Sequence, residues 1–456
     1  MKKSTRLFLP TTATFQALLL FGGCQTFQSE PLDLPAHADV WRAQNPSSEK
    51  VSTFAKRLAD TSPDAPPFNP VNGLSLSEGE IVALVFNPEL RVARLRAGVA
   101  KATAEHAGRW DDPEVSIDVL KISQSVPEPW ILGSTISVTL PLSGRLGAEK
   151  ARAEAAAHAE LDRVAEEEWK VLKDLRNTWV SWSAQRLRLE ETREVVKALE
   201  SIAKSTSQLV EQGELLRTES ALFTIEQTSR RAEIDRLTGE VAAQEQEIRS
   251  LMGLSPGAPL RLVSTLVAVD SAPDGEQPDK TNPTLARLRS EYEVAEGVLL
   301  REVRKQYPDL TIGPQAEEDQ GQTRIGFVGA FPLPILNSNK GGIAEARAER
   351  EVARAAFETE YERIMGRLAT LRARMNAMQA QRRTIDRTLV PLVDRQVADA
   401  GRLVEMGEGS SLILLESLVR SHEAKLKLID IQLQYSQGKN DLRFLLGPTN
   451  RNTISR

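Results

Sequence analysis

The stretch VFNPELRVARLR (residues 85–96) returns much later in the chain as TNPTLARLRSEY (residues 281–292). Both place Asn-Pro-x-Leu ahead of an Arg-rich apolar run. Asn87 and Asn282 are 195 residues apart. So are Pro113 of DDPEVSIDVL and Pro308 of QYPDLTIGPQ, and so are the ARAE motifs that begin at Ala151 and Ala346. Pro141 and Pro332 lie 191 apart, and Gly213 and Gly407 lie 194 apart. The halves close on LMGLSPG (residues 251–257) and LLGPTN (residues 445–450). Landmarks in one order at a nearly constant spacing define a tandem duplication, with the loops differing slightly in length.

Each half reads as the same succession of elements. Ser75 or Ser77 caps a short helix to about Val85, with Glu78 and Glu80 in its first turn. Asn87 caps a second helix, and Pro88 sits in its first turn, where a missing N–H costs little. A strand follows in which Val115, Ile117 and Val119 alternate with Ser116 and Asp118. A loop over residues 123–133 leads to a second strand, Ile136, Val138 and Leu140 against Thr135, Ser137 and Thr139. The alternation gives one apolar and one polar face, as in strands that cross a membrane. From Ala148 to Gln212 there is neither Gly nor Pro, and Val195, Ile202 and Leu209 recur every seven residues. That predicts one very long helix with a coiled-coil seam, on the order of 100 Å at 1.5 Å per residue. Gly213 ends it, and a helix returns to about Leu251. The second half predicts strands over residues 309–314 and 322–331, joined by the hairpin EEDQGQ. Its long helix runs over residues 343–406, seamed by Ile364, Leu368, Leu371, Met375 and Met378 and kinked at Pro391. Gly407 and Gly409 turn the chain, and Ser410 or Ser411 caps the last helix to Leu446.

The composition agrees. Aromatic residues make up 5% of the 456 positions, while Ala, Glu, Arg and Leu fill long tracts. A formal net charge of −5 argues against a nucleic-acid partner, which calls for a basic face. His37, His106, His158 and His422 are scattered, and no His/Cys/carboxylate cluster has metal-ligand spacing. No catalytic motif and no cofactor motif is present, so the expected class is not an enzyme.

Residues 1–23 read as a secretory signal peptide: Lys2, Lys3 and Arg6 precede an apolar stretch that ends in Gly22-Gly23. The single cysteine, Cys24, follows directly. This start resembles a bacterial lipoprotein signal, which implies lipidation (palmitate) of Cys24. An ordinary signal peptide followed by an unmodified cysteine is the alternative. Residues 24–73 read as a lipid anchor and an extended Pro-, Ser- and Asp-rich tether. No later apolar run reaches the roughly 18 residues of a membrane helix. The first repeat covers residues 74–257, a linker 258–281, the second repeat 282–450 and a tail 451–456.

The expected fold class is therefore mainly α with a small membrane β part. It consists of tandem-duplicated long helical hairpins plus four strands. Four strands cannot close a barrel, and lipid tolerates no open sheet edge, so strands must be shared between chains. Three chains would supply about 12, within the range of known barrels.

The pattern resembles the TolC-type outer-membrane efflux proteins, including their lipoprotein branch. The likeness covers roughly residues 74–450. It rests on the NPxL starts, the Pro-led strands, TLPLSGRLGAEKARAE and the Gly-led hairpin tips. It implies a homotrimer with a 12-stranded barrel in the outer membrane and a helical tunnel in the periplasm. The expected partners are a periplasmic adaptor protein, an inner-membrane pump and outer-membrane lipid. It further implies that Gly213, Glu214, Gly407, Glu408, Gly409 and Ser410 form the adaptor-contacting tips. Glu416 matches a carboxylate that helps close the periplasmic aperture in that family; a second acidic position, one turn earlier, is Ile413 here. Glu219, with Arg217 nearby, holds the corresponding place in the first tip. Trp130, Tyr307, Phe327 and Phe331 are candidates for aromatic belts, and Ser116, Asp118 and Ser137 for the lumen. The expected function is passive conduction in a tripartite efflux system. The alternatives are a type I protein-secretion conduit of the same fold and a non-conducting periplasmic coiled-coil lipoprotein.

Overall fold

The computed structural model describes residues 26–61, 67–124, 126–266, 277–406 and 408–448. Cys24, the signal-like segment, Gly407 and the tail from residue 449 lie outside the described residues. The chain divides into two units, residues 1–43 and 44–456. In the first, helix α1 (Leu34–Arg42) starts at Asp33, whose carboxylate accepts from the Ala36 N–H at 2.9 Å. In the second, helix α2 (Glu49–Thr61) buries Val51 and Ala55. The segment expected to be an extended tether thus contains two helices. Asp33 supplies a cap and Val51/Ala55 an apolar stripe, signals that its Pro and Ser content obscured.

The first repeat then follows the predicted order. Helix α3 (Leu76–Phe86) opens with a capping box: Ser75 accepts from the Glu78 N–H, and the Glu78 carboxylate accepts from the Ser75 N–H at 2.9 Å. Helix α4 (Pro88–His106) is capped by Asn87. Strands β1 (Glu114–Lys121) and β2 (Trp130–Leu140) precede helix α5 (Arg145–Glu211) and its return, α6 (Arg217–Leu251). A short α7 (Pro278–Thr281) leads into the second repeat: α8 (Pro283–Arg304), β3 (Leu310–Asp319), β4 (Gln322–Ala330), α9 (Lys340–Thr384), α10 (Val390–Glu405) and α11 (Ser411–Leu446).

The duplication extends to individual hydrogen bonds. Asn87 accepts from the Leu90 N–H while its amide donates to the Leu251 carbonyl at 2.8 Å. Asn282 accepts from the Leu285 N–H and donates to the Leu445 carbonyl at 2.9 Å. Each Asn thus caps the helix it begins and ties it to the end of the returning hairpin. Arg94 donates to the Leu84 carbonyl at 2.7 Å, and Arg289, its repeat partner, to the Asp279 carbonyl at 3.0 Å. Gly253 (φ +71°) and Gly447 (φ +84°) turn the chain where a Cβ would collide with the carbonyls of Phe86 and Thr281.

The largest core is a belt at the base of the first hairpin. Leu90, Leu175, Trp179, Ile248 and Met252 are fully buried, with Trp182 meeting Trp179 edge to face at 6.1 Å. The second repeat has a smaller version, in which Leu285 packs on Ile364, Leu368, Leu442 and Leu446. The linker is a strap rather than a free segment. Leu74 and Leu262 form a parallel bridge, and one indole N–H and two hydroxyls of α5 and α11 hold its backbone. Trp179 donates to the Val263 carbonyl, Ser183 accepts from the Thr265 N–H, and Ser436 donates to the Leu266 carbonyl.

Three readings need correction. β2 starts at Trp130 and β3 runs to Asp319, so both strands are longer than expected. Pro314 broke the apparent pattern but is tolerated inside β3: the β2–β3 ladder is interrupted between Thr135↔Gln315 and Val138↔Ile312, where its missing N–H falls. The tightest buried seam of α5 there is Thr192, Val196, Leu199 and Thr206, while Val195, Ile202 and Leu209 are half-buried beside it. The rod continues past Pro391, where a kink was expected. A π-helical turn (Ile385–Leu389) closes Val390 N–H onto the Ile385 carbonyl and lets the helix continue.

Candidate functional site

Two regions carry the geometry that function can use: the four-stranded sheet and the two hairpin tips.

The strands form one antiparallel sheet in the order β1-β2-β3-β4. Gln320 and Gly321 both have positive φ and make the two-residue turn between β3 and β4. Register decides the faces. Ile117 pairs with Ser134, Ser134 with Ala316, and Ala316 with Ile325. Val115 pairs with Ile136, and Pro314 with Phe327. Val119 pairs with Leu132. Because residues two apart share a face, Val115, Ile117, Val119, Leu132, Ile136, Ile312, Ile325 and Phe327 form one apolar surface. Among the described residues nothing covers it: Ile117 is 74% exposed, Ile325 84% and Phe327 82%. The opposite face carries Ser116, Asp118, Thr135, Ser137, Gln315, Glu317 and Arg324, and Arg324 bridges to Glu317 and Asp319. Among the described residues β1 and β4 end the sheet with unpaired backbone edges.

The expected lumen residues Ser116, Asp118 and Ser137 do share the polar face. Trp130 lies at one end of the sheet under Lys121, while Tyr307 and Phe331 flank its other end. Phe327 stands in the middle of β4 rather than at a margin.

Both tips use the same chain reversal. At the first, Gly213 is left-handed (φ +76°), the Glu214 N–H donates to the Leu209 carbonyl at 2.9 Å, and Gly213 N–H to the Val210 carbonyl. At the second, the Glu408 and Gly409 N–H groups both donate to the Leu403 carbonyl, at 3.0 and 2.9 Å. A Cβ on Gly409 would lie 2.7 Å from the Val404 nitrogen, so this glycine is required by close backbone approach. Ser410 takes the N-cap position of α11, but neither it nor Ser411 gives a side-chain cap.

Glu416 is exposed and pairs with Arg420 at 2.6 Å. Arg217 and Glu219 lie in the first turn of α6 and form no ion pair with each other. Two residues apart on a helix, they point to different sides. The tips also expose Leu216, Ile225, Met406 and Ile413. A search for charged residues passes over these, although four large apolar side chains off the buried seam are the signal that finds them.

His422 is fully buried between the hairpin helices with neither ring nitrogen hydrogen-bonded. Burial first, then Arg230 and Lys425, pushes its pKa down to about 4; Glu233 opposes this. It is held neutral. Where the helices meet the sheet, Glu302 accepts from Lys305, Asn339 and Arg301. Burial raises its pKa, but these donors prevail and hold it near 2. Among the described residues no group of three or more His, Cys, Asp or Glu could hold a metal ion, and no helix is long and apolar enough to cross a membrane.

A family model described as outer membrane efflux protein matches residues 82–254. The chain carries an outer membrane efflux protein domain. The match spans α4, both strands of the first repeat and the first helical hairpin. The second repeat, with the same elements, lies beyond it. Of curated proteins, the cobalt-zinc-cadmium resistance protein CzcC of Cupriavidus metallidurans is 22% identical over 250 residues, 54% of this chain and 60% of that protein. The chain therefore aligns with about 60% of this relative's length. Three solved structures share the fold of this efflux-domain chain. They are CusC (TM-score 0.71, 16% identity, 89% of this chain and 98% of that one), the outer-membrane channel OprN (0.69, 15%, 93% and 98%) and the CmeC outer membrane channel of Campylobacter jejuni (0.69, 12%, 93% and 94%).

Proposed function

We propose that three copies of this chain form an outer-membrane channel, the exit duct of a tripartite efflux system. The observation that supports this best is the four-stranded sheet: one face is mainly apolar, with Lys121, Glu318 and Thr323 toward its loop end, the other face is mainly polar, and both edges are open. In lipid the apolar face needs no cover, the polar face lines water, and only the edges remain to be satisfied. Three copies close them with about 12 strands. The helical hairpins would then form a periplasmic tunnel, with the exposed apolar tips meeting an adaptor bound to an inner-membrane pump. Reconstitution into planar bilayers tests the reading: the expected result is stepwise conductance from a species of trimer mass. A monomer in mild detergent that conducts under no condition would overturn it.

Glu416, Glu219 and Arg217 are assigned to the periplasmic aperture. A ring of three carboxylates paired with Arg420 would narrow it electrostatically. Glu416→Ala should raise basal conductance; an unchanged value removes Glu416 from the gate. Cys24 is assigned to lipid anchoring. Mass spectrometry of the mature N-terminus should show an acylated cysteine, and an unmodified Cys24 would refute it.

The substrate reading that the comparisons favour is divalent metal cations, because the curated relative is a cobalt-zinc-cadmium resistance protein. Selection would rest with the pump, and Asp118, Glu317 and Asp319 on the polar face suit cation passage. Deleting the chain from its host should lower tolerance to zinc, cobalt or cadmium; unchanged tolerance to all three would sink this substrate class.

A further inference from the structure

The joint between the two repeats of one chain is fully visible, and it specifies a second joint that one chain leaves open. Helix α8 sits between α9 of its own repeat and α5 of the preceding one. Across α5 and α8, Arg163 pairs with Glu291 at 2.9 Å, Arg287 with Glu166, and Ser290 donates to Asp162. At Gly297 the two backbones come close: an added Cβ would lie 3.1 Å from the Cα of Arg152. Where the helices reach the sheet, Arg145 donates to Asp309 at 2.5 Å. Helix α4 is the repeat partner of α8, yet no preceding repeat covers it. Val92, Leu95, Arg96 and Val99 stand exposed, beside an open groove of about 480 Å³ between α4 and α5. Helix α9 is the partner of α5, and no following repeat covers its outer side.

The correspondence is fixed by structure as well as sequence. Gly144 and Asn339, 195 apart, are both left-handed N-caps of the long helices. Moving the internal joint by that spacing sets Glu358 against Arg96, Tyr361 against Val92, Arg347 against Ala102 and Lys340 against Glu114. Each pairing is complementary. Arg163–Glu291 becomes Glu358–Arg96 with its polarity reversed. Arg287–Glu166 becomes the apolar pair Val92–Tyr361. The close approach at Gly297 meets another small residue, Ala102. Arg145–Asp309 keeps its sense as Lys340–Glu114. All eight of these residues are exposed, and Arg96, Glu358, Glu114 and Lys340 form no ion pair among the described residues. The sheet obeys a matching operation, in which β3 maps onto β1 by 195 residues and β2 onto β4 by the 191 that separate Pro141 from Pro332. Val138↔Ile312 and Leu140↔Leu310 become Gly329 opposite Ile117 and Phe331 opposite Val115, which keeps the apolar face continuous. A slip of one residue would turn it inward.

We infer that, in the three-copy assembly proposed above and resting on it, each copy docks on the next through this second joint. Glu358 and Lys340 of one copy meet Arg96 and Glu114 of the next, and the edge strand β4 meets β1 in the stated register. The reversed polarity sets the order of the ring, because Glu291 of one copy presented to Glu358 of another would repel.

The test uses the full-length chain in outer membranes. Arg96→Glu or Glu358→Arg alone should lower the trimer recovered in mild detergent by about fivefold or more, and the double exchange should restore it. Arg96→Cys with Glu358→Cys should yield disulfide-linked trimers, and Arg96→Cys with Glu362→Cys, one turn away, should not. If the wild-type chain forms a trimer but the single exchanges are harmless and both cysteine pairs link equally or not at all, this joint is wrong and the three-copy reading survives. If the wild-type chain itself runs as a monomer, both fall.

Discussion

At the scale of the residue, the two asparagines do more than begin helices. Asn87 joins two segments through one side chain: its own helix and the end of the returning hairpin. Asn87→Ala removes an N-cap, worth about 1 kcal/mol, and leaves the Leu251 carbonyl without its donor, about 1–3 kcal/mol more. The midpoint of thermal unfolding, followed by helical circular dichroism, should fall accordingly, and Asn282→Ala should behave alike. Glycines divide by place. Gly253→Ala should destabilise by about 2 kcal/mol or more, since it adds a collision to a left-handed backbone. Gly239→Ala, in open space inside α6, should stabilise by about 0.5–1 kcal/mol. His422 makes stability depend on pH. Its folded pKa of about 4 lies below the ordinary 6.5, so the unfolded chain takes up the proton first. The stabilisation is whole above pH 6.5 and is lost as pH falls toward 4. His422→Leu should flatten that limb of the midpoint-versus-pH curve; an unchanged limb would assign it to other groups.

At the scale of the element, the helical hairpins and the turn at Gly213 were legible because helix periodicity, Gly/Pro punctuation and Asn-Pro starts are local signals. The long-helix seam of the second repeat was legible too: Ile364 and Leu368 are buried as the 4-3 spacing requires. The seam of α5 was read one position off, because Thr192 and Thr206 face inward and do not count as apolar in a sequence. Each hydroxyl is satisfied by its own helix, through the Arg188 and Ala203 carbonyls, so its burial costs little. The strand limits were misjudged at Pro314 and around Trp130 for a related reason: whether a missing N–H matters depends on the neighbouring strand. The apolar tip residues were overlooked because nothing local marks them as uncovered. The clamp on Glu302 ties the end of α8 to the start of α9. Its carboxyl near pH 2 lies below the ordinary 4.5, so this stabilisation is present above pH 4.5 and fades as pH falls toward 2. Glu302→Gln should remove the pH dependence in that window, measured on the same unfolding curves in acid.

At the scale of the whole molecule, the duplication was the decisive legible feature, because it converts one weak pattern into two that check each other. What it leaves to three dimensions is which faces the repeats turn toward one another. The internal joint is polar, with Arg163–Glu291 and Arg287–Glu166. The open joint substitutes Val92 and Tyr361 for the second of these pairs. The contact with a neighbour would thus keep the Glu358–Arg96 and Lys340–Glu114 pairs but rest on one ion pair fewer than the chain's contact with itself. The expected outcome is a salt response that separates the two. Raising ionic strength should weaken the fold of an isolated chain more than it weakens the assembled ring, read by comparing the unfolding midpoint of the monomer with the dissociation temperature of the trimer.

The bare sheet sets a clock on assembly. An apolar face and two open edges are harmless only after lipid and neighbours are in place; before that they are the surface on which stray strands nucleate aggregates. The helical part has a buried belt of its own and can form first, in water. In the proposed channel the sheet has to come last, so that insertion and closure would become one event, and a copy that arrives alone would have no resting state in the membrane.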